Sequence, residues 1–351
     1  MSNFLYDIGP IRPPSEARSL LIRVNRNCPW NRCEFCNVYK GTKFQKKSPD
    51  EIKADIDVAA RMYGERRYSV RSAFLQDANA LLMKTDELIE ILNYLKEKFP
   101  AINRITTYTR SDTAARRKVD DLRRLHEAGL TRVHIGLETG YAPLLMYVNK
   151  GVTVEQHIEG GGKVKEAGLD LSEYVMPGLG GRTMWREHAS ATADVLKQID
   201  PDFIRLRSIS VRPGTPLYEK MISGKFVPLT EDEKVHEIRL FIENLDGIRS
   251  MVVSDHLLNL LQEVEGRLPE HKEKMLNAID NYLSLAEEDK INFMVGSRLG
   301  YYHTLTEMKQ EDTYRQVQMI VDSVSDELES GNYPGCSTVE DFIRKRMEEI
   351  I

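Results

Sequence analysis

The stretch that decides the reading is Ser19-Leu20-Leu21-Ile22-Arg23-Val24-Asn25-Arg26, followed by Cys28-Pro29-Trp30-Asn31-Arg32-Cys33-Glu34-Phe35-Cys36. The first part is a short, largely apolar run and reads as a strand. The second sets three thiols within nine residues. Three closely spaced thiolates can each hold one iron of a cubane and leave the fourth iron without a protein ligand. An open metal position is what catalysis needs. A structural zinc site asks for four ligands, and the nearest histidine is His126, while Cys336 lies far towards the other end. The residues alone leave a zinc site or an unliganded cysteine cluster open. A disulfide scaffold would spread an even set of cysteines through a short secreted chain, so a metal in a reducing compartment is expected and Cys336 reads as an ordinary thiol.

Working outward, the same alternation repeats. Ser48-Pro49-Asp50-Glu51 is a capping box with proline at the first helical position, opening a helix to about Met62. Strands are expected over Ser69–Leu75, Arg104–Tyr108, Arg132–Leu137, Leu169–Met176 and Phe203–Val211. Helices are expected from Thr85 to Pro100, and along Ala115, Val119, Leu122 and Leu125 up to Gly129. Further helices are expected from Thr153 to Gly168, Met184 to Ile199 and Glu231 to Leu245. Strands separated by crossover helices must run parallel, because a hairpin cannot join them. Six such units make an open doubly wound sheet or a barrel-like arc. Beyond Leu245 the pattern turns α-rich, with helices near 255–266, 270–285, 311–328 and 337–351 and a polar stretch up to Gln310.

Charge and composition narrow the partners. Hydrophobic residues make up 41% and charged residues 29%, enough apolar material for a sizeable core. The net charge of −5 disfavours a broad nucleic-acid surface, which needs clustered Lys and Arg. The basic runs Lys46-Lys47 and Arg116-Arg117-Lys118 are followed closely by acids and read as solvated helix faces. No stretch approaches the ~18 apolar residues of a membrane span. Nor does the start show the basic and apolar run of a signal peptide. A cytoplasmic location without a membrane partner is expected.

The cysteine loop after the first of six β–α units resembles the radical S-adenosylmethionine (SAM) superfamily over about residues 19–245. That resemblance implies an α/β fold, a partial (β/α)6 TIM-like barrel at 1–245, and leaves 246–351 as an α-helical extension packed on the core. It implies a 4Fe–4S cluster on Cys28, Cys33 and Cys36, with SAM chelating the fourth iron. The family usually has three residues between its first two cysteines, whereas this chain has four. Phe35 stands where the family has an aromatic against the adenine. Gln76-Asp77-Ala78-Asn79-Ala80-Leu81 stands where the family often has Gly-Gly-Glu-Pro, so Asp77 or Asn79 is the expected acceptor for the SAM amino group. Gly136-Leu137-Glu138-Thr139-Gly140 is similar to the Gly-Leu-Glu-Ser-Gly of the branch with oxygen-independent coproporphyrinogen dehydrogenases and the elongator catalytic subunit. There the glutamate binds the SAM ribose, a role implied for Glu138. Lys165 takes the place of a basic residue that neutralises the SAM carboxylate. Gly178, in Met176-Pro177-Gly178-Leu179-Gly180-Gly181, belongs to a stretch whose backbone lies along the adenine.

The chemistry implied is reductive cleavage of SAM to a 5′-deoxyadenosyl radical that abstracts hydrogen from a small-molecule or peptide substrate. It implies an electron donor such as flavodoxin or ferredoxin. Cysteines for a second cluster are missing from the sequence, which disfavours sulfur insertion. Two other classes stay open: a non-catalytic iron–sulfur electron-transfer or cluster-delivery protein, and a zinc-binding interaction module.

Overall fold

The computed structural model describes residues 6–333 and 335–350. The chain divides into two compact units, Met1–Tyr174 with Val195–Ile204, and Val175–Asp194 with Arg205–Ile351. The chain passes between the units after Tyr174, Asp194 and Ile204.

In the first unit the chain runs β1 (Leu20–Arg23), α1 (Pro49–Tyr63), β2 (Ser72–Gln76), α2 (Thr85–Lys98) and β3 (Arg104–Thr109). It continues through α3 (Ser111–Arg116), α4 (Val119–Glu127), β4 (Arg132–Glu138), α5 (Ala142–Tyr147), α6 (Val154–Glu166) and β5 (Asp170–Val175). Next come α7 (Gly181–Ile199) and β6 (Phe203–Leu206), and the strands lie side by side in sequence order. Pairing is parallel, with Leu20 opposite Ala73, Ser72 opposite Arg104 and Thr106 opposite Arg132. The capping boxes at Ser48 and Thr153 form as the sequence reads.

Side chains show that this sheet curls into a partial barrel. Phe74 on β2 and His134 on β4 have ring centroids 6.2 Å apart although β3 lies between their strands. In a flat sheet strands two apart are separated by roughly 9.5 Å, so the face carrying these rings is concave. Tyr108 and Tyr174 complete the cluster, at 5.1 Å from Phe74 and 5.8 Å from His134. Below it the fully buried Glu16 receives Ser19 Oγ at 2.6 Å and Arg104 Nη2 at 3.2 Å.

The helix expected through Ala115 to Leu125 is broken. Arg117 adopts an extended backbone between α3 and α4, because its guanidinium donates to Leu81 O at 3.0 Å and Thr85 Oγ1 at 2.7 Å. The glycines at 160–162 lie within α6, as their position in a helical pattern indicates. A Cβ on Gly160 would stand 2.6 Å from the Ser111 carbonyl oxygen, so glycine lets α6 close on α3.

The second unit carries the end of β6 followed by α8 (Pro216–Ile222), α9 (Glu231–Glu243), β7 (Met251–Val253) and β8 (Gly266–Arg267). Four helices complete it: α10 (Lys272–Leu283), α11 (Glu287–Arg298), α12 (Glu311–Glu329) and α13 (Val339–Ile350). The helix expected at 255–266 is instead a loop between two short antiparallel strands. Asn259 pins it by donating to Leu206 O and Ser254 Oγ, both at 3.0 Å, while accepting from Ser208 N at 3.1 Å. In return, α11 forms where a polar stretch was expected. Its buried residues, Asn292 to Gly296, are consecutive and so show no helical spacing. Among the described residues no helix is long and apolar enough to cross a membrane.

The turn after β5 belongs to this second unit. Gly178, at φ +88°, donates its N–H to Glu237 Oε2 of α9 at 2.5 Å, and His188 Nε2 of α7 lies 3.1 Å from Met176 O. Burial pushes the Glu237 carboxyl up to about 8, with the Gly178 N–H and Lys234 only partly opposing it. Burial lowers His188 to about 4.

Two predictions follow from this packing. Gly160→Ala overpacks the α3–α6 contact and lowers stability by about 1–3 kcal/mol. Gly162→Ala, which meets nothing within 4 Å, raises it by roughly 0.5–1 kcal/mol; thermal melting of the two variants reads both signs. Glu237 binds its proton more tightly when folded, so its contribution is complete below about pH 4.5 and is lost as pH rises through about 8. Glu237→Gln removes that slope. Denaturant titrations between pH 5 and 9 should show the native protein losing stability relative to the variant as pH rises.

Candidate functional site

The candidate site is built at the carboxyl ends of the first unit's strands, from the loop after β1 and the loop after β4. The cysteine loop is rigid for local reasons. Asn27 and Asn31, on either side of Cys28, take left-handed φ values of 69° and 46°, which asparagine tolerates better than most residues. Asn31 Nδ2 donates to Tyr39 O at 2.6 Å and Asn31 N lies 3.4 Å from Cys28 Sγ, so the fourth residue of the long gap is taken up in a tight turn. Lys40 Nζ closes the loop on Asn31 O and Cys33 O, each at 3.2 Å.

This loop rests on residues 148–151. Glu34 N donates to Val148 O at 2.9 Å and Trp30 Nε1 donates to Asn149 O at 2.8 Å. Gly151, at φ +69°, lies beneath the indole, where a Cβ would come within 2.3 Å of ring carbons. Arg110, from the end of β3, donates to Lys150 O at 3.0 Å and Gly151 O at 3.1 Å, and its guanidinium lies 5.5 Å from the Trp30 ring centroid.

Between these loops lies an ion pair. Lys150 Nζ is 2.8 Å from Glu138 Oε1, with the two side chains only 10% and 12% exposed. Burial works against the Lys150 charge, but Glu138 and Cys33 outweigh it and raise its pKa. Glu138 ends β4 at φ +64°, a strained conformation for a glutamate of the kind that gathers at ligand sites. Gly136 makes room, since a Cβ there would stand 2.3 Å from Glu138 Oε1 and 3.1 Å from Lys150 Nζ. Phe35 lies over the same ammonium, 5.8 Å from its ring centroid.

The thiols feel this pair. Burial raises Cys33, against the pull of Lys150 and Arg110, and burial likewise raises Cys36, against the Val38 backbone and Lys150. Cys28 and Cys36 are partly exposed, whereas Cys33 is buried. Among the described residues, no three Cys, His, Asp or Glu side chains converge as a single metal ion requires. A cubane does not ask for that convergence, because each thiolate takes its own iron. Orphaned polar atoms fit an absent ligand: both oxygens of Glu173 are buried without a hydrogen-bond partner.

Glu173, on β5, is, with Lys150 and Arg110, among the residues that sequence reasoning missed. Its carboxyl is fully buried and raised well above the usual range by burial, then by the Glu138 charge, with Lys150 opposing. The signal was present as an acid deep in a largely apolar strand, three residues after Asp170.

The other expected residues are placed variously. Asp77 Oδ2 takes Arg23 Nε at 2.8 Å, and burial raises this acid despite that pairing. The buried Tyr39 is close enough to Asp77, Cys28 and Cys36 to be raised by all three, after burial itself. Asn79 is committed elsewhere: Oδ1 accepts from Thr109 Oγ1 at 2.7 Å, and Nδ2 donates to Thr113 Oγ1 at 2.8 Å. Lys165 is not brought to this group. It pairs with Asp202 at 2.6 Å, and Asp202 also accepts from Leu171 N near the amino end of β5. Lys150 is the cation that the fold delivers to Glu138. Gly178 belongs to the second unit, on Glu237.

Comparison with known proteins agrees with this arrangement. Residues 22–192 match the model of the Radical SAM superfamily. A tRNA uridine(34) acetyltransferase of Methanocaldococcus jannaschii is 30% identical over 132 residues, 37% of this chain and 24% of that one. Elongator complex protein 3 of Mus musculus is 27% identical over 150 residues, 40% of this chain and 26% of that one. The chain thus spans about a quarter of the length of these curated relatives. Among solved structures, the cobalamin-dependent S-adenosylmethionine radical enzyme OxsB aligns with TM-score 0.50 at 14% identity, covering 93% of this chain and 58% of that one, a likeness of fold alone. The match begins on β1 and runs through the cysteine loop and the Glu138 strand end, so residues 22–192, just under half of the chain, are similar to the radical SAM superfamily of enzymes.

Proposed function

We propose that Cys28, Cys33 and Cys36 hold a 4Fe–4S cluster and that the enzyme abstracts hydrogen from a small-molecule or peptide substrate. The observation that carries this reading is the Lys150–Glu138 pair set against Cys33 and Cys36 at the strand ends. When bound, the cluster and SAM supply the one-electron cleavage that yields a 5′-deoxyadenosyl radical, and a flavodoxin or ferredoxin is the fitting electron source.

The chain's own residues bind, orient and shield. Three thiolates in a buried loop need positive charge nearby, and Lys150 and Arg110 supply it. Lys150 stays protonated and presents donors to the SAM carboxylate, the role the resemblance gave to Lys165. Glu138 has two oxygens to accept hydroxyl donors of the ribose. Glu173, its pKa raised well above the usual carboxylate range by burial, adds a buried carboxyl whose hydrogen bonds a ligand completes. Asp77 and Asn79 brace the loops, through Arg23 on one side and Thr109 and Thr113 on the other. Phe35 covers the ammonium and keeps water from it.

The test is anaerobic reconstitution with iron and sulfide, then dithionite and SAM, assayed for 5′-deoxyadenosine. Cleavage is expected in the native protein and abolished by Cys28→Ala, Cys33→Ala and Cys36→Ala. Cleavage that survives all three substitutions would overturn the reading, and a loaded cluster with no cleavage would favour an electron carrier instead. Glu138→Gln is expected to raise the KM for SAM about tenfold or more, the scale of a hydrogen bond to a charged group. Gly151→Val drives a side chain into the Trp30 ring and strains a left-handed backbone. Iron bound per chain should fall severalfold in that variant while its circular dichroism stays native.

A further inference from the structure

The loop that follows β7 in the second unit opens with Ser254-Asp255-His256, and arginines gather around it. Asp255 bridges two of them, with Oδ2 2.9 Å from Arg205 Nη1 and Oδ1 2.7 Å from Arg207 Nη1. Arg298, at the end of α11, holds the next two residues after the histidine, donating to Leu257 O at 2.7 Å and Leu258 O at 3.0 Å. His256 lies between these two anchorages in the chain. Burial lowers its pKa to about 4, aided by the Arg207, Arg298 and Arg212 charges and opposed by Asp255. The ring is therefore neutral near neutral pH and keeps one N–H to donate.

Two groups here lack partners. His256 Nδ1 is buried without a hydrogen-bond partner. Arg212 is partly buried, and its side chain makes no hydrogen bond or ion pair among the described residues, yet its charge reaches the His256 ring. A native fold seldom leaves buried polar atoms unmet, so something outside the chain completes them. A cavity of about 60 Å³ adjoins these segments, with Ile209, Val211, Leu229, Leu258 and Met294 as its apolar walls. Arg298 lines the same cavity, while Val211 adjoins Arg212 and Leu258 follows His256 by two residues. The other charges on the wall are paired. Glu231 takes Lys234 at 2.6 Å and Arg298 at 2.7 Å, Glu340 accepts from Glu231 N at 2.7 Å, and Arg344 holds Asp341 at 2.7 Å. An apolar cavity with a few unmet polar groups beside it is the usual anatomy of a small-molecule site.

We infer that this is the binding site of a small organic anion, whose carboxylate or phosphate is taken by Arg212 and His256 and whose apolar part enters the cavity. Arg212 presents a planar fork of N–H donors that suits either head group. The neutral imidazole adds a further donor. A cationic ligand is disfavoured, because three arginine charges already bear on the same ring. Nothing in this site depends on a cluster or on SAM, so its test runs without turnover.

The experiment is calorimetric titration of the full chain with hexanoate, hexyl phosphate and hexylamine, which share one alkyl body, and with acetate. Both hexyl anions are expected to bind and hexylamine is not; a preference for either anion names the head group. Acetate should bind about tenfold or more weakly than hexanoate, since it leaves the cavity unfilled. Arg212→Ala should weaken the hexyl anions about tenfold or more. Arg212→Lys should recover part of that loss, and His256→Ala should weaken both anions as well. Lys309→Ala, at an exposed lysine of the same unit, is the control and should change nothing. Thermal melting of Arg212→Ala should stay native, because no intramolecular bond is lost. Absence of binding by both hexyl anions would overturn the inference, as would equal binding of hexylamine, equal binding of acetate, or undiminished affinity in Arg212→Ala. The same heats are expected with and without iron and sulfide, so a failure of SAM cleavage would count against the proposed function and leave this result standing.

Discussion

The seating of the cysteine loop on residues 148–151 is the constraint on which the candidate site depends. Neither segment has regular structure, so neither could hold its shape by its own ladder of hydrogen bonds. The Val148 and Asn149 carbonyls take up donors from Glu34 and Trp30, and Gly151 gives the indole a flat bed. Arg110 then locks the bed to the end of β3 through the next two carbonyls. Satisfying loop carbonyls in this way is what allows irregular backbone to be buried at all. Phe35, Cys33 and Cys36 thereby meet Lys150 in one place although more than a hundred residues separate them in the chain.

The charges at the centre answer to one another. Burial works against the charge of Lys150, and Glu138 and Cys33 more than restore it. Glu138 accepts a strained backbone to complete the pair. Arg110 shares the task of offsetting thiolate charge, while Asp112 balances Arg110 at 3.0 Å. Glu173 is the member left without compensation. Burial favours its neutral form, in which a carboxyl can donate as well as accept.

The second unit shows the same economy around its glycine turn. The Gly178 N–H and the Met176 carbonyl would both be orphaned by a bend so tight, and Glu237 and His188 meet them from two helices. Burial keeps Glu237 protonated and His188 neutral near neutral pH, so the turn is held without net charge. The short curated overlaps, about a quarter of each relative's length, leave substrate choice to features of this chain rather than to those proteins.

The β–α alternation, parallel pairing and the position of the thiol loop were legible in the sequence, because periodicity, capping boxes and Cys spacing are local properties. Ser48 and Thr153 cap their helices as read, and the Glu138 strand end stands beside the thiols. What the sequence could not decide were matters of which distant groups meet. Lys165 and Lys150 look equally eligible along the chain, but a helix carries the first to Asp202 and a loop carries the second to Glu138. Arg117 broke an otherwise good helical pattern because carbonyls from another segment claimed its guanidinium, and Asn259 turned a helical stretch into a loop in the same way. The helix at Glu287–Arg298 was hidden because its buried residues adjoin instead of recurring every turn. Local chemistry therefore determined the β–α alternation and its thiols, and the barrel was implied by the family resemblance. Only tertiary structure chose the partners, since burial and charge pairing depend on residues that share space and not sequence.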